Sequence, residues 1–140
     1  MFVFPVTKPG QVSLGSRLMG YELRVERDAP LAYAELASVS ARAGFELRGS
    51  HEAGEVVARH GDSVHQIATW SGRLSGQPGS DWQVAQLALL TDLMGARLVG
   101  EDGEAYGIRN GVVEQINGSS TYEFGKLEEI IAAGPTEWSA

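Results

Sequence analysis

The sequence contains no cysteine among its 140 residues. Disulfides, iron–sulfur clusters, thiolate zinc sites and thiol nucleophiles are therefore excluded. It also lacks any apolar run near the ~18 residues that a membrane-spanning helix needs. The N-terminal residues carry no basic segment ahead of an apolar one, so no secretory signal peptide is expected. Together these absences favour a cytoplasmic protein.

An excess of basic residues is absent as well. Lys and Arg together number 11 against 18 Asp and Glu, which gives a formal net charge of −7. A nucleic-acid-binding protein needs a basic surface, and an anionic membrane attracts basic segments, so the charge argues against both partners. The apolar fraction of 43% and the charged fraction of 21% exclude a disordered chain. Residues 1–140 are therefore predicted to form a single domain.

Signatures of common catalytic and nucleotide-binding sites are missing. The sequence has no G-x-S-x-G nucleophile elbow and no dinucleotide-binding fingerprint. The glycine spacing over residues 15–20 resembles that of a phosphate-binding loop, but the Lys-Ser/Thr pair that contacts phosphate and Mg²⁺ is absent. No cofactor is expected, and the missing signatures favour a non-enzymatic role over a catalytic one.

Two imidazoles and a carboxylate lie close together in the sequence, in His60, Asp62 and His65. Imidazole and carboxylate ligands suit zinc or iron, and a tight turn at Gly61-Asp62 would bring both histidines to one ion. The same residues also suit a polar hairpin tip, in which Asp62 serves the turn. The sequence therefore predicts no metal site, with this trio as the alternative.

An internal repeat is the most informative pattern in the chain. Residues 34–49 and 85–100 align without a gap, and six of their sixteen positions are identical. Each copy combines an amphipathic helix, a glycine and a strand. The alignment favours a structural duplication over about residues 21–60 and 65–109, with a hairpin and a helix added over 104–134.

Local signals place the elements within this frame. Residues 21–26 alternate as a strand, and Asp28 is a candidate cap for a helix that ends at Gly44. Ser80 begins a capping box for a second helix, and Asn110-Gly111 marks a two-residue hairpin. Residues 121–133 are predicted to form a third helix, capped by Ser120 and with a stripe of apolar residues. That stripe consists of Phe124, Leu127, Ile130 and Ile131.

Helices that alternate with hairpins indicate an α+β fold with a mostly antiparallel sheet and helices on one face. A ferredoxin-like duplicated βαβ(β) core with a C-terminal hairpin and helix fits this order of elements best. Paired βαββ(β) modules, as in the vicinal-oxygen-chelate fold, are the nearest alternative. Either comparison concerns the fold and carries no activity.

The loop over residues 71–79 is a candidate binding segment. It is longer than the matching connection in the first copy, and additions of this kind often carry function. Trp70 and Trp82 flank the loop and Arg73 lies within it. Trp and Arg are enriched at binding hot spots, although each Trp also fits a core position.

The negative charge is concentrated near the C-terminus. Residues 101–140 hold eight acidic residues against Arg109 and Lys126, so they carry −6 of the total. An acidic surface would speed encounter with a basic protein and cover its cationic cleft. The candidate contact residues on this surface are Glu101, Asp102, Glu104, Glu123, Glu128 and Glu129.

These patterns lead to one main hypothesis and two alternatives. The main hypothesis is a binding module for a basic protein, because bacterial immunity and inhibitor proteins share this small, acidic, cysteine-poor profile. The first alternative is a small-molecule-binding or catalytic domain with a pocket near residues 71–79. The second is a structural subunit that associates through an exposed sheet into an obligate oligomer, and a homodimer is one such assembly.

Overall fold

The computed structural model describes residues 21–139, and within them nine strands form one sheet flanked by three helices. The first half of this region contains β1 (Leu23–Glu26), α1 (Tyr33–Ala43), β2 (Glu46–Gly49), β3 (Gly54–His60), β4 (Ser63–Trp70) and β5 (Leu74–Gly76). The second half contains α2 (Asp81–Leu93), β6 (Arg97–Gly100), β7 (Ala105–Arg109), β8 (Val112–Asn117), β9 (Ser120–Lys126) and α3 (Leu127–Ala133).

All neighbouring strands are antiparallel, in the order β2-β3-β4-β5-β1-β6-β7-β8-β9. The α+β class and the antiparallel sheet predicted from the sequence are therefore confirmed. The helices α1 and α2 connect strands differently. Helix α2 joins β5 to β6, which lie on either side of β1, whereas α1 joins β1 to β2 across three intervening strands.

Helix α2 forms the centre of the core. It lies between α1 and α3 and also contacts β4, β6 and β7. Because it is enclosed by sheet and helices, eight of its 13 residues are buried, against three of 11 in α1. The corresponding residues Leu36 and Leu87 are both fully buried, so the aligned positions do face the core in each helix.

Several local signals in the sequence are confirmed. The hydroxyl of Ser80 accepts a hydrogen bond from the backbone N–H of Gln83 at 3.2 Å and caps α2. Gly44 ends α1 with a φ of 84°, in the left-handed conformation that glycine favours. Asn110 and Gly111, at φ of 53° and 77°, form the two-residue turn between β7 and β8.

The helix predicted over residues 121–133 is wrong in its first half. Residues 120–126 form strand β9, and only Leu127–Ala133 is helical. A turn at Gly118 brings this segment alongside β8, where Tyr122 and Phe124 are half-buried while Thr121 and Glu123 are exposed. This period of two suits a strand, and ladder hydrogen bonds to β8 replace the proposed cap at Ser120.

The start of α1 also differs from the expectation. The helix begins at Tyr33 with no side-chain cap, so Asp28 is not its N-cap. The guanidinium of Arg27 donates to the carbonyls of Ala29 and Pro30 at 3.1 and 2.9 Å. In an α-helix, each of these carbonyls would accept from the backbone N–H four residues later. Because Arg27 occupies them instead, residues 29 and 30 stay outside the helix.

Candidate functional site

A cleft of about 450 Å³ lies at the C-terminal end of β1, beside the start of β5. The segment Gly72–Ser75 forms part of its wall, so the cleft adjoins the stretch predicted as a loop over residues 71–79. That prediction is wrong over residues 74–76, which form strand β5 alongside β4. We call it the arginine cleft, because four arginines and two glutamates supply its charged lining. These residues are Arg24, Arg27, Arg73 and Arg97, with Glu22 and Glu26.

Arg27 forms the fixed wall of this cleft. Its guanidinium makes a bidentate ion pair with Glu35 and also donates to the carbonyl of Met94 at 2.6 Å. The ion pair lowers the pKa of the Glu35 carboxyl and raises the pKa of the Arg27 guanidinium. With its donors already occupied, Arg27 orders the loop before α1 rather than offering a free binding group.

The other three arginines keep donors available. Arg24 pairs only its Nε with Glu26, at 3.2 Å, and Arg97 approaches Asp28 no closer than 3.6 Å. Arg73 is exposed and makes no ion pair or hydrogen bond through its side chain with the residues described. Guanidinium groups with free N–H donors bind carboxylates and phosphates in fork-like geometry.

A second cleft, of about 510 Å³, lies at the N-terminus of α2, where the C-terminal residues pack. We call it the acidic aromatic cleft. The backbone N–H of Trp138 donates to the carbonyl of Gly79, and its indole Nε1 donates to Oδ1 of Asp81, both at 2.8 Å. Its lining includes three carboxylates, one ammonium group and three aromatic rings, from Asp81, Glu129, Glu137, Lys126, Trp82, Phe124 and Trp138.

Burial perturbs the ionisable groups at this second cleft. Desolvation raises the pKa of the Asp81 carboxyl, and the hydrogen bond from Trp138 offsets part of that increase. Burial, together with the charge of Asp81, also raises the pKa of the nearby Tyr122 phenol. Perturbed ionisable groups in a cleft are one physical indicator of a functional site.

Sequence reasoning missed the acidic aromatic cleft. Asp81 and Trp138 are 57 residues apart, and neither belongs to a recognisable motif. A carboxylate in the first turn of a helix normally interacts with the helix dipole, so Asp81 alone carried no signal. Only the folding of the C-terminal residues onto α2 brings these groups together.

The two tryptophans beside the 71–79 loop are core residues. Trp70 is 5% exposed and its Nε1 donates to the carbonyl of His51, whereas Trp82 is 1% exposed. Neither indole is therefore available as a surface anchor for a partner. Of the three residues proposed around this loop, Arg73 alone is exposed.

Glu104 belongs to a buried hydrogen-bond network rather than to an acidic surface. It is 4% exposed, and its carboxylate accepts hydrogen bonds from the hydroxyls of Tyr21 and Tyr106, each at 2.7 Å. The backbone N–H of Asp102 donates to the same carboxylate at 3.2 Å. These donors satisfy the buried charge, and Gly100 leaves the space that the carboxylate fills.

The remaining acidic candidates do not form one patch. Glu101 and Asp102 lie in the turn before β7, where Glu101 accepts from the backbone N–H of Glu22 at 2.7 Å. Glu128 and Glu129 lie in the first turn of α3, at the other end of β7, and Glu123 lies on β9. Five residues of strand, about 17 Å, separate the two groups.

His60 and His65 pack on the core instead of converging with Asp62. The imidazoles of His60 and His65 lie edge-on to Trp82, at ring-centroid distances of 6.2 and 5.3 Å. Asp62 is exposed in the β3–β4 turn. Across residues 21–139 no group of three or more His, Asp or Glu side chains could hold a metal ion. The glycine-spaced segment 15–20 lies outside the described residues.

Comparisons with known proteins give no relative for this chain. No family model, no curated protein and no solved structure matches it. Among the helices described, none has the length and apolar character needed to cross a bilayer. The molecule is therefore defined by its α+β fold and by the two clefts.

Proposed function

We propose that this protein is a binding protein whose arginine cleft takes a small anionic ligand carrying carboxylate or phosphate groups. The observation that carries this proposal is the clustering of arginines, three of which keep free N–H donors. Four of the nine arginines line one cleft in a chain of net charge −7. Arg27 is neutralised by its ion pair with Glu35, whereas Arg24, Arg73 and Arg97 keep N–H donors that no described residue occupies.

The cleft is organised to hold such a ligand. The cross-strand register sets Arg24 opposite Ser75, on the face of the sheet that lies away from the buried Leu23. Ser71 donates to the carbonyl of Arg73 at 3.0 Å and closes a turn in which Gly72 adopts a φ of 79°. This turn limits the backbone freedom of the loop, so little ordering is needed when a ligand binds.

Calorimetric titration with inorganic phosphate and with citrate tests the proposal. Both are compared with sodium chloride at equal ionic strength, because non-specific attraction is screened by salt. We expect saturable binding of at least one anion, weakened about tenfold or more in Arg73→Ala and Arg97→Ala. Arg59→Ala, an exposed arginine on β3 outside the cleft, is the control and should bind normally. Equal affinity in all four proteins, or no saturable binding, would overturn the proposal.

A basic protein partner is the second candidate function, as in bacterial immunity and inhibitor proteins. Glu123, Glu128 and Glu129 are exposed, and none forms an ion pair with another described residue. They lie on β9 and α3, and β9 is the last strand of the sheet over residues 21–139. Uncompensated carboxylates beside a sheet edge would attract a cationic surface.

Co-expression with the product of the neighbouring gene tests this second candidate. Retention of a basic partner at low salt, and its loss from the Glu123→Gln/Glu128→Gln/Glu129→Gln variant, would support it. A partner retained equally by that variant would exclude these glutamates as contacts. Absence of any partner in co-purification would count against the candidate itself.

Three finer predictions accompany the proposal. The β5–α2–β6 connection around β1 supports a ferredoxin-like duplicated core, because that fold contains such split βαβ units. The longer α1 crossover has no counterpart in that arrangement, so the duplication over 21–60 and 65–109 remains a prediction. Cytoplasmic location and a homodimer formed through the sheet also remain predictions.

A further inference from the structure

We propose that the acidic aromatic cleft is a second binding site, for the alkylammonium group of a small organic cation. The proposal is independent of the arginine cleft, which lies at the end of β1 and shares no lining residue with it. It rests on the size of the cleft, on its aromatic lining, and on the Asp81 carboxylate, in which one oxygen accepts no hydrogen bond from a described residue.

The cleft has the size and rings that such a ligand requires. Its volume of about 510 Å³ falls within the roughly 300–1,000 Å³ typical of small-molecule sites. Phe124 and Trp138 line the cleft, and each residue is half-buried rather than enclosed in the core. The negative face of an aromatic ring attracts alkylammonium groups, and methylated ammonium groups in particular bind in aromatic-lined sites.

Asp81 supplies the charge at the base of this site. Its Oδ1 accepts the indole hydrogen bond of Trp138, while its Oδ2 accepts no hydrogen bond from any residue described. Desolvation of this carboxylate raises its pKa, and a bound cation would offset the unfavourable burial of its charge. Glu129 and Glu137 add two further carboxylates against the single ammonium of Lys126.

The aromatic wall is held in place before any ligand binds. The backbone N–H of Trp138 donates to the carbonyl of Gly79, and its indole donates to Asp81. The neighbouring residue Glu137 forms an antiparallel backbone β-bridge with Ser80. The ring of Phe124 is itself held edge-on by Tyr122, at a centroid distance of 5.0 Å. Rings ordered in advance lose little entropy on binding, which favours recognition of a small ligand.

Titration of the full chain with choline chloride tests the proposal, followed by tryptophan fluorescence and by calorimetry. The neutral isostere 3,3-dimethyl-1-butanol has the same shape without the charge, and n-butylammonium tests whether methyl groups on the ammonium are required. We expect saturable binding of choline, and binding of the neutral alcohol at least about tenfold weaker. Tighter binding of choline than of n-butylammonium would identify a methylated ammonium ligand, and the reverse would identify a primary amine.

Asp81→Asn is the decisive variant, because the amide oxygen still accepts from Trp138 while the negative charge is removed. We expect it to weaken choline binding about tenfold or more, whereas Asp92→Asn, at the exposed end of α2, leaves binding unchanged. Trp138→Leu should also weaken binding, and circular dichroism reports whether it still folds. Equal binding of choline and the neutral alcohol, or undiminished binding by Asp81→Asn, would overturn the proposal.

Discussion

The two clefts of this protein differ in charge and in what supports them. The arginine cleft is lined by β1, β5, Arg97 of β6 and the loops beside them, and its charged side chains come from both strands and loops. The acidic aromatic cleft lies over the N-terminus of α2 and includes Trp82, a residue of the central core. The net charge of −7 describes the whole chain but not its binding surfaces. Folding brings arginines from separate elements to one cleft and carboxylates from separate elements to the other.

The largest expected effect is a difference in stability between variants of the two clefts, because one cleft includes a core residue and the other includes an exposed loop residue. Trp82→Ala should lower the free energy of unfolding by about 3–5 kcal/mol, because it empties a core site that is 1% exposed. Arg73→Ala should change stability by no more than about 0.5 kcal/mol, as for an exposed side chain. Urea unfolding measures both, with the half-exposed Leu93→Ala as a control on α2. Similar losses in Trp82→Ala and Arg73→Ala would contradict the distinction.

The next effect concerns Glu104, a buried acid that lines neither cleft. Gly100→Ala would place a Cβ on the Glu104 carboxylate, which is held by two tyrosine hydroxyls and cannot easily move. We expect a loss of about 1–3 kcal/mol in the free energy of unfolding. Gly107→Ala, whose Cβ would meet nothing within 4 Å, is the matched control in the same sheet. Ligand affinity at both clefts should remain unchanged in the folded protein.

Charge reversal at Arg73 should act on one cleft only. Arg73→Glu is expected to weaken anion binding by about tenfold to a hundredfold, because one charged hydrogen bond is replaced by repulsion. Choline binding at the other cleft should be unaffected, since the two linings share no residue. Parallel titrations of both ligands measure this. Loss of both activities in a folded variant would show that the clefts are coupled.

The smallest effect is the pH dependence contributed by Asp81. Burial raises the pKa of its carboxyl in the folded state, so the folded chain binds the proton more tightly than the unfolded chain. The stabilisation from this group is present at low pH and is lost as the pH rises through the folded pKa. Asp81→Asn should therefore gain stability relative to the native chain between acid and neutral pH. The free energy of unfolding of both proteins is measured across that pH range. A difference between them that does not change with pH would contradict a raised pKa for Asp81.

The local elements could be predicted where their signals are short-ranged. The Ser80 cap, the glycine that ends α1 and the Asn110-Gly111 turn each depend on a few adjacent residues, and all three are confirmed. The helix predicted over 121–133 was wrong because Phe124 suits both a helical stripe and a strand. Pairing with β8 decides between them, and that pairing is a tertiary contact.

The candidate sites divide in the same way. Arg73 was identified from its loop and lines the arginine cleft, but the three arginines that join it lie on β1, after β1 and on β6. Trp82 and Glu104 were identified by residue type and lie buried, since their side chains also suit a core and a hydrogen-bond network. Residue type alone does not distinguish a surface site from a core position.

By itself, the sequence determined the α+β class, the antiparallel sheet, the Ser80 cap, the end of α1 and the Asn110-Gly111 turn, because periodicity and capping act over a few residues. It also determined the total charge and the absence of thiol chemistry. Only the tertiary structure decided which acids are buried, which arginines share a cleft, and that Trp138 lies on Asp81. These contacts join residues far apart in the chain, and long-range strand pairing and core packing, rather than local preference, select them.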